Sequence, residues 1–210
     1  MVSKDEPLDG KAPQNSKVAL LLIDVVNDME FPEGKGLRRH AEPAARRISA
    51  LKRRAKALGI PVIYVNDNFG RWRSDFTALV RHCLEDGVCG EAIVRMLMPD
   101  KDDYFVLKPK HSGFFATSLS ILLKHLKTET LILTGFASNI CILYTANDAY
   151  MNDFQIYIPR DCTAAERLVL HKQAIADMER CLKADTRIGA RIPLRSLLRQ
   201  APNKKTPAKP

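Results

Sequence analysis

The feature that most constrains the fold of this chain is a set of short segments that are apolar almost without interruption. A strand with one face in water alternates apolar and polar residues, whereas a strand covered on both faces is apolar throughout. The segments therefore predict strands inside a sheet that has helices on both sides. They lie at residues 17–25 (KVALLLIDV), 60–66 (IPVIYVN), 104–107 (YFVL), 130–134 (TLILT) and 154–158 (FQIYI).

Longer segments with helical periodicity separate these strands. Strands that alternate with helices are joined by right-handed parallel crossovers. We therefore predict an α/β fold, a three-layer doubly wound domain of the Rossmann-like type with a mostly parallel sheet of five or six strands. The predicted helices cover about residues 37–58, 75–85, 116–126, 138–151 and 164–182.

The length of the chain, 210 residues, is that of one good-sized domain. We predict a single domain over residues 17–199. Residues 1–16 and 200–210 are polar and rich in proline and lysine, so we expect both to be flexible tails.

Most of the net positive charge lies near the C-terminus. The chain has 33 Lys and Arg residues against 24 Asp and Glu, a formal net charge of +9, and residues 183–210 hold eight basic residues and one acidic residue. Because the rest is nearly balanced, we expect a solvated tail or a subunit contact, with no nucleic acid and no membrane as partner. The alternative is nucleic-acid binding through the four arginines from Arg187 to Arg199, although Gly189 and Pro193 interrupt the helix that would align them.

Cysteine usage and the N-terminal segment indicate the compartment. The five cysteines are odd in number and form no CxxC pair, which favours free thiols in a reducing environment. The N-terminal residues lack the apolar core of a secretion signal, and the longest apolar run is far shorter than the roughly 20 residues that cross a bilayer. We therefore predict a cytoplasmic protein.

Three predicted strands end in residues that can do chemistry. Asp24 ends the first, Lys108 follows the third, and the fourth ends at Gly135, before a helix whose first turn contains Cys141. In doubly wound sheets the working residues lie at such strand ends. Each residue alone has an ordinary interpretation, as a turn, a solvated lysine or a core cysteine. Together they suggest a nucleophile, because an ammonium and a helix N-terminus lower a thiol pKa and a carboxylate can exchange its proton.

These residues stand in four motifs that span roughly residues 18–182: ALLLIDVVNDMEFPEG, IYVNDNFGRWRSDF, VLKPKHSGFFATSL and LILTGFASNICILYTANDAYMNDFQIYIPRDC. In these motifs the chain resembles the isochorismatase-like cysteine hydrolase superfamily, which includes nicotinamidases, N-carbamoylsarcosine amidases and ureidoacrylate amidohydrolases. The resemblance implies a catalytic triad of Asp24, Lys108 and Cys141. It also implies a cis peptide bond between Phe136 and Ala137, and we expect the backbone N–H groups of Ala137 and Cys141 to form an oxyanion hole.

The resemblance implies an amidohydrolase that cleaves the C–N bond of a small amide or ureide. In this hypothesis Asp24 accepts the proton of Cys141, the thiolate attacks the carbonyl carbon, and water releases the acid from the resulting thioester. The ammonium of Lys108 stabilises the negative charge on Asp24 and then on Cys141. No organic cofactor is needed, and the resemblance further implies a homo-oligomer.

Departures from the family pattern bear on metal and substrate. Nicotinamidases follow the second strand with Asp-x-His and further histidines that ligate a metal, whereas this chain has Asn66, Asp67 and Asn68 there and its next histidine is His82. We therefore expect no metal and keep metal-dependent nicotinamidase activity as the alternative. Dedicated isochorismatases lack the nucleophilic cysteine, so the presence of Cys141 disfavours hydrolysis of isochorismate.

The candidates for the substrate pocket are Asn66, Phe69, Trp72 and Phe136, since an aromatic wall with few polar groups suits a small planar amide. For Trp72 and the nearby Phe76, packing of a loop onto the sheet is an equal interpretation. A non-catalytic protein that keeps the fold is a further alternative, which the intact Asp, Lys and Cys set disfavours.

Overall fold

The computed structural model describes residues 15–67 and 75–199. The expected tails, apart from Asn15 and Ser16, lie outside the described residues, as do the pocket candidates Phe69 and Trp72. The strands are β1 (Val18–Ile23), β2 (Val62–Asp67), β3 (Tyr104–Lys108), β4 (Thr130–Phe136), β5 (Gln155–Tyr157) and β6 (Thr163–Ala164). The α-helices are α1 (Gly34–Lys56), α2 (Phe76–Glu85), α3 (Glu91–Met96), α4 (Leu119–His125), α5 (Leu143–Met151), α6 (Leu168–Leu182) and α7 (Leu194–Arg199).

The sheet has the order β3-β2-β1-β4-β5, with β6 paired to β4, and its strand pairings are parallel. This confirms the predicted doubly wound α/β fold. Strand β1 lies in the middle, and each of its residues is fully buried. Alternate side chains enter opposite layers, as strand geometry requires: Leu20 and Leu22 pack in the layer of α1, and Leu21 and Ile23 pack in the layer of α4, α5 and α6.

Three local features differ from the sequence prediction. Helix α3 was not predicted, because six residues are too few to show a helical period. The last long helix begins at Leu168 rather than near Ala164, since Thr163 and Ala164 pair with β4. The segment from Ser138 begins with a π-helical turn, Ser138–Ile142, before α5 continues it.

The C-terminal segment from residue 183 to 199 is packed onto the domain, so its interpretation as a solvated tail is wrong for these residues. Ile192, Leu194 and Leu197 are buried in the same apolar layer as α1. Arg54 of α1 donates hydrogen bonds to the carbonyls of Gly189 (2.8 Å) and Ile192 (2.9 Å).

The arginines of this segment do not share one helix. Arg187 precedes a 3₁₀ turn (Gly189–Arg191), Arg191 ends that turn, and Arg195 and Arg199 belong to α7. Pro193 and Gly189 interrupt the helix as the sequence indicates. The aligned stripe on which the nucleic-acid alternative depends is therefore absent from residues 187–199.

None of the helices in residues 15–67 and 75–199 is both long enough and apolar enough to span a membrane.

Candidate active site

The order of the strands defines a crevice at the centre of the sheet. The chain runs from β1 outward to β2 and β3, and β4 lies on the other side of β1. At such a switch point the connections leave in opposite directions and open a crevice beyond the carboxyl ends of the strands. Asp24 follows β1, Lys108 is the last residue of β3, and Cys141 lies in the π-helical turn after β4.

The structure brings these three side chains together. The Nζ atom of Lys108 lies 2.9 Å from Oδ2 of Asp24 and 3.5 Å from Sγ of Cys141. Asp24 and Cys141 are also close enough for each to affect the pKa of the other. Lys108 thus joins an acid and a thiol in one cluster, and such a grouping can activate a cysteine nucleophile.

Asp24 is held in place by backbone contacts on both sides. Its N–H donates to the carbonyl of Val65 (2.9 Å), and its Oδ1 accepts from the N–H of Asp67 (2.7 Å). The residue has φ of 51°, in the left-handed region that Asp tolerates better than most residues. The end of β1 therefore turns so that a buried carboxylate points across the ends of β2 and β3.

Lys108 is fully buried, and an ammonium in that position needs compensating partners. Burial is the largest single effect and lowers the pKa of Lys108, but Asp24, Cys141 and Asp67 together outweigh it, so the net pKa is raised. The side chain is therefore a permanent cation at neutral pH.

Asp67 is a member of this cluster that the sequence analysis missed. Its Oδ2 accepts a hydrogen bond from Lys108 Nζ at 3.2 Å, and its side chain is 26% exposed. The signal was present, since Asp67 ends β2 at the same edge of the sheet as Asp24 and Lys108. The sequence analysis considers Asp67 only as part of the Asp-x-His pattern of a metal site.

Cys141 is half-buried, and its pKa is raised rather than lowered. Burial is the main cause and the charge of Asp24 adds to it, while Lys108 opposes both. Burial also raises the pKa of Asp24, against the effect of Lys108. Lys108 thus lowers the pKa of the thiol as the sequence analysis expects, but burial outweighs this effect.

The backbone before Cys141 is unusual over a few residues. The peptide bond between Phe136 and Ala137 is cis, at the position named from the resemblance. The carbonyl of Ala137 accepts from the N–H groups of Ile140 (3.2 Å) and Ile142 (3.1 Å). The second bond skips the N–H of Cys141, which an α-helix would have paired with that carbonyl.

The pocket candidates that lie in the described residues have other roles. Phe136 is 1% exposed and packs in the apolar layer with α1, so it is part of the core rather than a pocket wall. Asn66 is fully buried and donates from Nδ2 to the carbonyl of Val26 at 2.6 Å, which braces the loop after β1. Phe76 stacks on Phe105, with ring centroids 5.3 Å apart, and thus follows the packing interpretation.

Within the described part of the chain, a group of acids close enough to share a cation lies at the other end of β3. It consists of Asp100, Asp102 and Asp103. The ammonium of Lys56 contacts each of them, and that of Lys52 contacts Asp100 and Asp103. The expectation that the crevice holds no metal stays a prediction.

Comparison with known proteins places the chain among hydrolases. The family model named Isochorismatase domain matches residues 18–187. The chain is 39% identical over 167 residues to the uncharacterized isochorismatase family protein YaaI of Bacillus subtilis, covering 80% of this chain and 91% of that protein. It is 27% identical over 186 residues to the ureidoacrylate amidohydrolase RutB of Methylobacterium radiotolerans, covering 76% of this chain and 72% of that protein. The crystal structure of N-carbamoylsarcosine amidase from Thermoplasma acidophilum matches with a TM-score of 0.65 and 26% identity, covering 84% of this chain and 99% of that chain.

Proposed function

The chain belongs to the isochorismatase family, and on that premise we propose that it hydrolyses the C–N bond of a small amide or ureide through a thioester on Cys141. The observation that carries the proposal is the contact of Asp24, Lys108 and Cys141 in the crevice. Relatives whose names describe an amidase and an amidohydrolase support the same reaction class.

In the first step the proton of Cys141 passes to Asp24. The raised pKa of Asp24 makes its carboxylate a stronger base than an ordinary aspartate, which suits it to take a proton from a thiol. The ammonium of Lys108 lies beside both groups, so it neutralises the carboxylate before the transfer and the thiolate after it. The thiolate then attacks the carbonyl carbon of the substrate.

The attack moves the carbonyl π electrons onto oxygen, and this oxyanion needs donors. We assign the backbone N–H groups of Ala137 and Cys141 to it, each worth roughly 3–4 kcal/mol in comparable sites. When the tetrahedral intermediate collapses, the C–N bond breaks and the protonated Asp24 gives its proton to the leaving nitrogen. Ammonia or an amine departs, and an acyl group remains on sulfur.

The second half of the reaction uses the same groups in reverse. Water gives a proton to Asp24 while its oxygen attacks the thioester carbon, and the C–S bond breaks to release the acid. The proton then returns from Asp24 to Cys141. One amide and one water become one acid and one amine or ammonia, and the enzyme is restored without a redox or metal co-reactant.

The test is release of ammonia from a panel of small amides and ureides by the parent, Cys141→Ala and Cys181→Ala. Cys181 is an exposed cysteine on α6 and serves as the matched control. We expect the parent and the Cys181 variant to turn over at equal rates, and the Cys141 variant to lose at least about 10³-fold in kcat/KM, as removal of a nucleophile does. A folded Cys141→Ala protein that hydrolyses the substrate at the parental rate would refute the mechanism.

The proposal also carries the remaining expectations from the sequence. The enzyme works as a cytoplasmic homo-oligomer built from one domain over residues 17–199, without an organic cofactor or a metal in the crevice. Light scattering of the purified protein tests the homo-oligomer, and metal analysis of the active preparation tests the absence of a metal.

A further inference from the structure

A polar pair next to the nucleophile, one buried and one half-buried residue, has no part in the mechanism above. Ser138 is the first residue of the π-helical turn that holds Cys141, and it is fully buried. Its Oγ lies 2.8 Å from Nδ1 of His171, on the first turn of α6. Thirty-three residues of chain separate the two, so the contact joins distant segments rather than neighbours.

The ring of His171 also lies near the backbone of Arg160, in the loop after β5, which acts to raise the pKa of His171. A neutral imidazole has one nitrogen that accepts, and we assign this role to Nδ1, which faces the hydroxyl of Ser138. The contact with Ser138 ties the turn of the nucleophile to helix α6.

The surroundings of His171 keep the ring neutral. Burial lowers the pKa of His171, and the nearby His40 of α1 acts in the same direction, while the backbone of Arg160 opposes them. A neutral ring is the form that accepts from Ser138, since a charged imidazole has a donor on both nitrogens. The contact is therefore intact at neutral pH.

Because of the position of Ser138, its contact with His171 can fix the backbone that is assigned to the oxyanion. Ser138 lies between Ala137 and Cys141, the two residues whose N–H groups are assigned to the oxyanion. Such donors act only when they are aimed at one point about 3 Å away. A serine in the first turn of a helix can also bond to carbonyls of its own turn, which would twist that turn. Acceptance by His171 removes this freedom.

We propose that His171 is a positioning residue for the oxyanion-binding backbone, acting through its hydrogen bond from Ser138. This proposal rests on the proposed function. It predicts that loss of the bond weakens the binding of a tetrahedral oxygen while leaving the thiol as reactive as before.

Four variants separate the bond from the packing of the ring. Ser138→Ala removes the donor with little change in volume. His171→Phe fills the space without an acceptor, and His171→Gln carries its amide beyond the position of Nδ1, so that Ser138 is left without a partner. His171→Asn places an amide oxygen where Nδ1 stands, and is therefore the rescue variant.

The first readout does not require the natural substrate. Acetaldehyde adds to the thiol of Cys141 as a thiohemiacetal: the S–H bond breaks and its proton passes to Asp24, the S–C bond forms, and the carbonyl π pair moves to the oxygen, which occupies the oxyanion position. Its Kd is measured as protection of Cys141 from iodoacetamide, followed by mass spectrometry of the Cys141 peptide. Alkylation by iodoacetamide alone involves no oxyanion and reports the reactivity of the thiol.

We expect the Kd of acetaldehyde to rise at least tenfold in Ser138→Ala, His171→Phe and His171→Gln, and to stay within threefold of the parent in His171→Asn. Alkylation without aldehyde should stay within twofold in all four. The proposal is overturned if the Kd is unchanged, if His171→Asn is as weak as His171→Phe, or if alkylation falls by the same factor as aldehyde binding.

The second readout is hydrolysis of whichever amide the parent accepts. The same three variants should lose kcat at least tenfold with KM nearly constant, and His171→Asn should recover most of it. If the parent hydrolyses no amide of the panel, the proposed function fails, while the aldehyde measurement still decides the role of His171.

Discussion

Replacing Lys108 by methionine tests what the buried ammonium contributes, because methionine keeps a long unbranched side chain and removes the charge. The Nζ atom lies 2.9 Å from Asp24 and 3.2 Å from Asp67, and the residue is fully buried. Removing one partner of a buried ion pair costs about 3–5 kcal/mol, since the other charge stays buried without compensation. We expect Lys108→Met to lose that much free energy of unfolding at neutral pH.

The loss should depend on pH, with a sign that follows from Asp24. Burial already raises the pKa of Asp24 against the effect of Lys108, so removing Lys108 raises it further. Above about pH 4 the unfolded carboxyl ionises while the folded one keeps its proton. The folded state then binds more protons, and the free energy of unfolding falls as pH rises, by about 1.4 kcal/mol per pH unit up to the folded pKa. From pH 5 to 7 the variant should lose up to about 2.7 kcal/mol beyond any change in the parent.

The assay is urea denaturation followed by far-UV circular dichroism at pH 5, 6 and 7. The matched control is D24N/K108M, in which the amide at position 24 cannot ionise, so the added pH slope should vanish and part of the stability should return. Parallel stability curves for Lys108→Met and the parent would refute the reasoning, as would a double variant that is no more stable than Lys108→Met at pH 7.

Two further predictions concern the same crevice and the strand beneath it. Asp67→Asn should extend alkylation of Cys141 by iodoacetamide to lower pH, because the Asp67 carboxylate lies 3.2 Å from Lys108 and competes with the thiolate for it. The exposed control Asp86→Asn, at the end of α2, should leave the pH profile of alkylation unchanged. A shift of the Asp67 variant to higher pH would contradict the argument. Gly135→Ala should fail to fold or lose far more stability in urea than Gly87→Ala. Both glycines have positive φ, but a Cβ at Gly135 would stand 2.0 Å from a carbonyl oxygen of β1, whereas Gly87 faces open space and its variant loses only about 1–2 kcal/mol for the left-handed backbone. Equal losses in the two variants would show that this close approach does not matter.

The fold was predictable because its strongest signal is burial on both faces. Val18–Ile23 is apolar throughout since it packs against helices above and below the sheet, and the other strands repeat that pattern more weakly. What the sequence did not reveal was short: α3 has six residues and β6 has two, and neither is long enough to establish a period. These elements depend on tertiary contacts rather than on local pattern.

The prediction of a solvated C-terminal tail was wrong because it relied on net charge, which does not show whether the apolar residues between the arginines are buried. Ile192, Leu194 and Leu197 are interleaved with the arginines, and these three side chains are buried while Arg195 and Arg199 are exposed. An amphipathic segment this short carries little periodicity, so composition dominated its interpretation. Burial of its apolar side, and the bonds from Arg54 to its backbone, decide its place in the fold.

The residues of the cluster that lie at strand ends could be predicted from the sequence, whereas residues placed by tertiary packing could not. Asp24, Lys108 and Cys141 each lie at or after the end of a strand, and the rule that strand ends converge is enough to bring them together. Asp67 ends β2 and obeys the same rule, although the sequence analysis considered it only as part of a metal site. His171 lies in the first turn of α6 and meets Ser138 only through tertiary packing, which no pattern within α6 indicates.

The composition of the cluster determines how charge can move during the reaction. One ammonium, on Lys108, faces the carboxylates of Asp24 and Asp67 and the thiol of Cys141. Ionising the thiol by releasing its proton to solvent would add a negative charge to a buried site that already has two, which is costly at low dielectric. Passing the proton to Asp24 instead leaves the total charge unchanged and moves the negative charge between two atoms that Lys108 contacts. The pKa values of Asp24 and Cys141 are both raised, and in the proposed mechanism the two groups hold one proton, which moves from the thiol to the carboxylate as the carbonyl carbon is attacked.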